Sequence, residues 1–202
     1  MPPQIPSPPP IQGLHHYAYR AKDAEETRHF YEDILGLPLY HIIQSDHVPS
    51  TGEYCPYTHF FFRLGDGSYI AFFDLGDDEA ALPSPNTPAW VNHIAFSVPT
   101  LADLTAMKTR LEANGIDVIG VTDHHVFKSI YFFDPNGVRL ELSYQIASVQ
   151  AMQKESTFAR QRLNEWTARK NQWRTERAAN PSSADKLKPQ QNDRPELNHW
   201  HL

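Results

Sequence analysis

The sequence predicts an α+β fold in which two similar units, each a strand, a helix and three further strands, follow one another along the chain. Three repeats carry that expectation. The glycine-led segment Gly67-Ser-Tyr-Ile-Ala-Phe-Phe returns as Gly137-Val-Arg-Leu-Glu-Leu-Ser, and His16-Tyr-Ala-Tyr-Arg-Ala returns as His93-Ile-Ala-Phe-Ser-Val. Each histidine-led strand is followed by a helical stretch of similar length.

Met1 to Pro10 is proline-rich and lacks hydrophobic periodicity, so a flexible, extended arm is expected there. The first unit, about 11–80, opens with a strand over Leu14 to Ala21. Asp23 is placed to cap a helix that Gly36 ends, with Phe30, Tyr31 and Ile34 as its buried stripe. Strands are expected over Pro38 to Gln44, Thr58 to Leu64 and Tyr69 to Leu75, the last two joined by the hairpin Gly65-Asp-Gly67. Gly76 to Thr87, rich in Asp, Pro and Ser, reads as the linker.

The second unit, about 88–145, repeats the order. It has a strand over Val91 to Val98, a helix over Leu101 to Ala113 with the core stripe Leu104, Met107 and Leu111, and a strand over Asp117 to Thr122. Its hairpin, Ser129 to Ser143, turns at Asp134-Pro-Asn-Gly137, where proline presets φ and glycine accepts a positive one. Alternation sends Leu140 and Leu142 to the core and Arg139, Glu141 and Ser143 to the other face. Residues 146–179 form one long amphipathic helix, expected to pack on its own domain or on a sister subunit. The tail over 180–202 is expected to be disordered, and its His199 and His201 receive no role.

The 202 residues, 40% hydrophobic and 12% aromatic, suffice for one good core or two small fused ones. A formal net charge of -6, with no gathering of basic residues in the folded part, argues against nucleic acid. Cys55 stands alone, which excludes an internal disulfide framework and suits a reducing compartment. With no apolar run of bilayer length and no leader-like start at Met-Pro-Pro-Gln, a soluble cytoplasmic protein without membrane partners is expected.

Strand parity then decides which side chains share a face. His16, Ala18 and Arg20 lie together, as do His93, Ala95 and Ser97; Tyr69, Ala71 and Phe73 match Arg139, Glu141 and Ser143. The repeat therefore offers four equivalent positions toward one cavity: His16, Ala71, His93 and Glu141. Taken singly, each histidine is an ordinary strand residue and Glu141 an ion-pair partner for Arg139. Two imidazoles and a carboxylate at equivalent repeat positions instead suggest a metal site, with the 2-His-1-carboxylate set of non-haem Fe(II) chemistry, and alanine at the fourth position leaves coordination room for substrate and O2. His15, one residue out of phase, is expected on the opposite face in a structural role.

Four segments, His16-Tyr-Ala-Tyr-Arg-Ala-Lys-Asp, Phe30-Tyr-Glu-Asp-Ile-Leu-Gly36, Val91-Asn-His-Ile-Ala-Phe-Ser-Val98 and Tyr131-Phe-Phe-Asp-Pro-Asn-Gly-Val-Arg-Leu-Glu-Leu142, resemble the vicinal oxygen chelate superfamily. That superfamily contains glyoxalase I, fosfomycin-resistance proteins, bleomycin-binding proteins and extradiol ring-cleaving dioxygenases. The resemblance covers about Ile11 to Gln145 and implies paired βαβββ modules forming an incomplete barrel around a divalent metal. Glyoxalase I has a glutamate where Ala71 stands, so the chain departs from that pattern. Extradiol dioxygenases use two histidines and one glutamate, which His16, His93 and Glu141 match, and they place a tyrosine in the register of Tyr131, where a phenol can hydrogen-bond a catecholate oxygen.

Ring-cleaving relatives also carry an acid–base histidine on the strand matching Tyr69 to Phe73, and that strand has none here. His59, which shares parity with Phe61, and His124, with His125 beside it before the last hairpin, are the alternatives. Phe61, Tyr69, Ala71, Phe73 and Phe127 are expected to wall the substrate pocket. The function these features imply is an extradiol-type dioxygenase, an oxidoreductase taking a catechol-like diol and O2 on Fe(II), with Mn(II), Ni(II), Zn(II) or Co(II) as other candidate ions. A glyoxalase-like isomerase, lyase or thiol transferase, and a drug-binding resistance protein without chemistry, are the alternatives. A homodimer formed through the long helix belongs to the same set of expectations.

Overall fold

The computed structural model describes residues 8–179. The first seven residues of the expected arm and the whole expected tail over 180–202 lie outside the described residues. The chain divides into two units between Leu82 and Pro83, inside the expected linker.

Unit 1 contains β1 (His16–Ala21), α1 (Ala24–Arg28) running into a π-helical segment (His29–Ile34), β2 (Leu39–His47), β3 (Tyr54–Arg63) and β4 (Tyr69–Asp74). The strands form one open sheet in the order β1-β4-β3-β2, with β1 parallel to β4 and the other pairs antiparallel. Asp23 caps α1 as expected, its Oδ1 accepting from the Glu26 N–H at 2.7 Å. The expected plain α-helix gives way after Arg28 to a wider turn, in which the Leu35 N–H donates to the Phe30 carbonyl at 3.0 Å. That turn seats Phe30, Tyr31, Ile34 and Leu35 in the core, where Tyr31 packs against Phe62 and Phe72 at ring-centroid distances of 5.2 and 4.9 Å. β2 continues past its expected end to His47, and β3 begins at Tyr54, ahead of its expected start. Pro56 is tolerated in β3 because it precedes the stretch, Thr58 to Arg63, that pairs with β4.

Unit 2 contains β5 (Ile94–Ser97), α2 (Leu101–Ala113), β6 (Ile119–Asp123), β7 (Phe127–Phe133), β8 (Arg139–Gln145) and α3 (Val149–Ala179). The sheet order β5-β8-β7-β6 repeats that of unit 1, with β5 parallel to β8. Thr100 caps α2, its Oγ1 accepting from the Asp103 N–H at 3.0 Å. Leu104 and Leu111 of α2, Ile130 and Phe132 of β7 and Leu140 and Leu142 of β8 form the core, as alternation requires. At Asp134 the buried carboxylate accepts from the Asn136 and Val138 N–H groups at 2.9 and 2.7 Å, which closes the turn ahead of Gly137 at φ +77.

Two expectations change here. β5 begins at Ile94 rather than Val91, which leaves His93 immediately before the paired strand. α3 buries none of its side chains, and Val149, Phe158, Leu163 and Trp166 are exposed, so packing on its own domain is not observed. No described helix is long and apolar enough to cross a membrane.

Candidate functional site

The strand registers place the repeat on a residue-by-residue footing. In unit 1 Ala18 pairs with Ala71, and in unit 2 Ala95 pairs with Glu141. His16 and His93 each stand two residues before those alanines and are equivalent. Across the antiparallel pairs, Phe61 faces Ala71 and His59 faces Phe73, while Tyr131 faces Glu141 and Ser129 faces Ser143. His59, Phe61, Ala71 and Phe73 in unit 1 therefore correspond to Ser129, Tyr131, Glu141 and Ser143 in unit 2. One arrangement of backbone carries an aromatic set in one unit and a polar set in the other.

The polar set is organised around Glu141, a carboxylate only 4% exposed. Burying that charge is costly unless its oxygens are satisfied. Oε1 accepts hydroxyl hydrogen bonds from Ser129 at 2.5 Å, Ser143 at 2.7 Å and Tyr131 at 3.2 Å. Oε2 faces His93 Nε2 at 3.0 Å. The carboxylate is thus used asymmetrically, with one oxygen held by protein donors and the other left for a partner.

The identity of that partner follows from His93. Its Nδ1 lies 3.0 Å from the Val91 carbonyl, which can only accept, so Nδ1 carries a proton. In the neutral ring Nε2 then presents a lone pair toward a carboxylate oxygen that also presents one. A cation resolves that repulsion: either a proton on Nε2, giving an imidazolium–carboxylate pair, or a metal ion shared by both donors. A backbone acceptor on the second ring nitrogen is the usual way a metal-binding histidine is oriented, so the donor set fits a divalent ion. Among the described residues no group of three His, Cys, Asp or Glu side chains is gathered as a metal cluster. Unit 2 supplies a pair of donors, His93 and Glu141.

Around this pair, His124 Nε2 and the Tyr131 hydroxyl are 2.7 Å apart, so an N–H of His124 donates to the oxygen whose own proton goes to Glu141. Phe127 packs against the His124 ring at 4.7 Å between centroids. Burial and the neighbouring Glu141 charge push the Tyr131 hydroxyl pKa up, which keeps it a donor. Arg139 lies over the Tyr131 ring, its Cζ 4.6 Å from the centroid, and burial pushes its pKa down from the usual guanidinium range. His125 adopts φ +69 in the turn and is exposed, with no contact to Glu141 among the described residues.

In unit 1, His16 packs edge-on to Phe61 and His59 at 5.6 and 6.0 Å between centroids. His59 is buried and stacked on Phe73, rings 3.7 Å apart and 5° from parallel. Its Nδ1–H donates to the Phe72 carbonyl at 2.9 Å, which puts the lone pair of the neutral ring on Nε2, and burial favours that neutral form by pushing the pKa down. Ala71 is fully buried beneath these rings. A pocket of about 390 Å³ opens on this unit, lined by His15, Tyr40, His41, Ile43, Phe61 and Tyr69. His15 is therefore not on the opposite face. β1 starts at His16, so strand alternation does not reach His15, whose Nδ1 sits 2.8 Å from that of His16.

The structure thus brings together Glu141, Tyr131, His93, His124 and Phe127 in unit 2, and His16, His59, Phe61, Ala71 and Phe73 in unit 1, with Tyr69 in the pocket wall. Sequence reasoning missed Ser129 and Ser143. Both share parity with Tyr131 and Glu141, so the signal existed; what it lacked was the cross-strand register that points both hydroxyls at one oxygen.

Comparison with known proteins adds an independent line. Residues 13–142 match the family model described as Glyoxalase/Bleomycin resistance protein/Dioxygenase superfamily. Biphenyl-2,3-diol 1,2-dioxygenase 3 of Rhodococcus globerulus is 29% identical over 131 residues, 64% of this chain and 61% of that enzyme, so the chain spans about three-fifths of that relative's length. The metallothiol transferase FosB of Staphylococcus saprophyticus subsp. saprophyticus is 28% identical over 134 residues, covering 65% of this chain and 76% of FosB. A crystal structure of a glyoxylase/bleomycin resistance protein/dioxygenase domain from Frankia sp. EAN1pec superposes with a TM-score of 0.56 at 18% identity, over 68% of this chain and 100% of that one, a likeness of fold.

Proposed function

The chain belongs to the glyoxalase/bleomycin resistance protein/dioxygenase superfamily, and from that footing we propose that it is a metal-dependent dioxygenase of the extradiol type. Its substrate is a catechol-like vicinal diol into which O2 is inserted. One observation carries this reading: His93 Nε2 and Glu141 Oε2 face each other at 3.0 Å, each with its remaining hydrogen-bonding capacity committed elsewhere. His16, the register equivalent of His93, is the third ligand in this reading, and Ala71 replaces what would otherwise be a fourth. Fe(II) is the ion assigned; bound there, it supplies Lewis acidity and a common template for diol and O2.

The remaining roles belong to the chain itself. Tyr131, its hydroxyl fixed between His124 and Glu141, orients a diol oxygen. His59 is the acid–base group, because it is held neutral with Nε2 unprotonated. His124 acts through Tyr131 as a positioning residue. Phe61, Tyr69, Phe73 and Phe127 offer flat apolar surface to an aromatic ring.

A second reading, a metal-dependent thiol transferase, rests on the greater share of FosB that this chain covers. The two differ in their need for oxygen. Protein purified anaerobically is assayed for metal by mass spectrometry, loaded with Fe(II) and offered catechols in an oxygen electrode. Catechol-dependent O2 uptake, abolished together with iron retention in Glu141→Ala, is the expected result. Thiol consumption that proceeds without O2 would overturn the dioxygenase reading, and iron retained by Glu141→Ala would remove Glu141 from the ligand set.

A further inference from the structure

Arg139 precedes Glu141 by two residues on β8 and shares its sheet face. Its guanidinium lies over the ring of Tyr131, the residue whose hydroxyl donates to Glu141. It makes no ion pair among the described residues, and its Nε is buried without a hydrogen-bond partner. Glu141 does not supply a counterion by contact, since its oxygens are occupied by Ser129, Ser143, Tyr131 and His93. A half-buried cation left in this state is unfavourable by itself, and the rigid fork of a guanidinium is suited to a carboxylate. The equivalent residue in unit 1 is Tyr69, opposite Arg63 as Arg139 is opposite Phe133. Tyr69 lines the pocket of that unit, so this register position faces ligand-sized space where the repeat lacks the arginine.

We propose that Arg139 is a specificity-determining residue that binds an anionic oxygen group on the substrate, so that the preferred substrate is a carboxylate-bearing catechol. The inference rests on the catechol reading given above for the substrate but not on any reaction with O2. Charge supports it: in the proposed reading a divalent ion balanced by the one carboxylate of Glu141 would keep net positive charge, to which Arg139 adds another. A neutral catechol leaves the guanidinium uncompensated.

The test is equilibrium binding by calorimetry under anaerobic conditions, to full-length protein loaded with Mn(II). The probes are 3,4-dihydroxyphenylacetate, 4-methylcatechol and phenylacetate, each against wild type, Arg139→Gln and Arg139→Lys. Wild type is expected to bind 3,4-dihydroxyphenylacetate about 10- to 100-fold tighter than 4-methylcatechol, that preference vanishing in Arg139→Gln and returning in part in Arg139→Lys. The affinity for 4-methylcatechol should stay unchanged in all three. Equal loss of both catechols in Arg139→Gln would mean that Arg139 only props Tyr131, and would overturn the inference. Arg139-dependent binding of phenylacetate with no catechol binding would uphold the anion site while sinking the catechol reading, and absence of any Arg139-dependent carboxylate binding would overturn the anion site.

Discussion

Glu141 shows how one side chain is divided between structure and chemistry. Its Oε1 is fixed by three hydroxyls and its Oε2 is offered to His93, so the carboxylate cannot rotate freely between one-oxygen and two-oxygen coordination. In this cage Ser129 is fully buried, and its Oγ lies 2.9 Å from that of Ser143, with both hydroxyl protons directed at the same carboxylate oxygen. Removing one hydroxyl takes one of three donors from a buried charged acceptor, a cost of about 1.5–3 kcal/mol. It also loosens the orientation of the oxygen that faces His93. Ser129→Ala is therefore expected to weaken metal affinity by about 10- to 100-fold in chelator competition, the range typical for residues that orient a metal ligand. An unchanged affinity would reduce the cage to a packing device.

Among the elements, β7 and β8 hold this site because they are the two central strands of their sheet, buried on the helix side by Ile130, Phe132, Leu140 and Leu142. The neighbouring β6 approaches closely. Gly120 there has φ +107, and a Cβ on it would meet the Ser129 carbonyl at 2.6 Å, so only glycine lets β6 run beside the residue that steadies Glu141. α3 is the contrasting case, a helix of 31 residues with Trp166 and Trp173 in edge-to-face contact at 5.5 Å but no buried side chain. Leu163, 52% exposed, tests whether that face is free in solution. Leu163→Ala should change stability by less than about 0.5 kcal/mol in urea denaturation, as for a surface residue. A cost of about 2 kcal/mol or more, and concentration-dependent, would mean that another subunit covers it.

At the scale of the whole molecule, the repeat has diverged in a directed way: unit 2 keeps polar groups at Ser129, Tyr131, Glu141 and Ser143, and unit 1 carries His59, Phe61, Ala71 and Phe73 at the same register positions. In the proposed reading His16 belongs to the same ligand set as Glu141, and metal linkage reads this out. A metal at about 100 times its Kd stabilises a folded protein by about 2.7 kcal/mol, so Mn(II) is expected to raise Tm in wild type and to raise it far less in both His16→Ala and Glu141→Ala. A full shift retained by His16→Ala would confine the ligands to unit 2. The tandem units, the order of their strands and the equivalence of Ala71 with Glu141 were legible from residues alone, because side-chain direction in a strand repeats every two residues and a glycine-led hairpin marks the register, whereas His93, expected within a strand, stands just before one. The π-helical turn after Arg28 was not, since apolar spacing does not specify whether an N–H bonds four or five residues back. Nor were the place of His15, the tautomer of His93 set by Val91, the convergence of Ser129 and Ser143 on one oxygen, and the buried Nε of Arg139, which lacks a hydrogen-bond partner among the described residues. Each of these depends on where a strand begins or on which backbone lies across from it, and such long-range contacts come into being only when the chain folds.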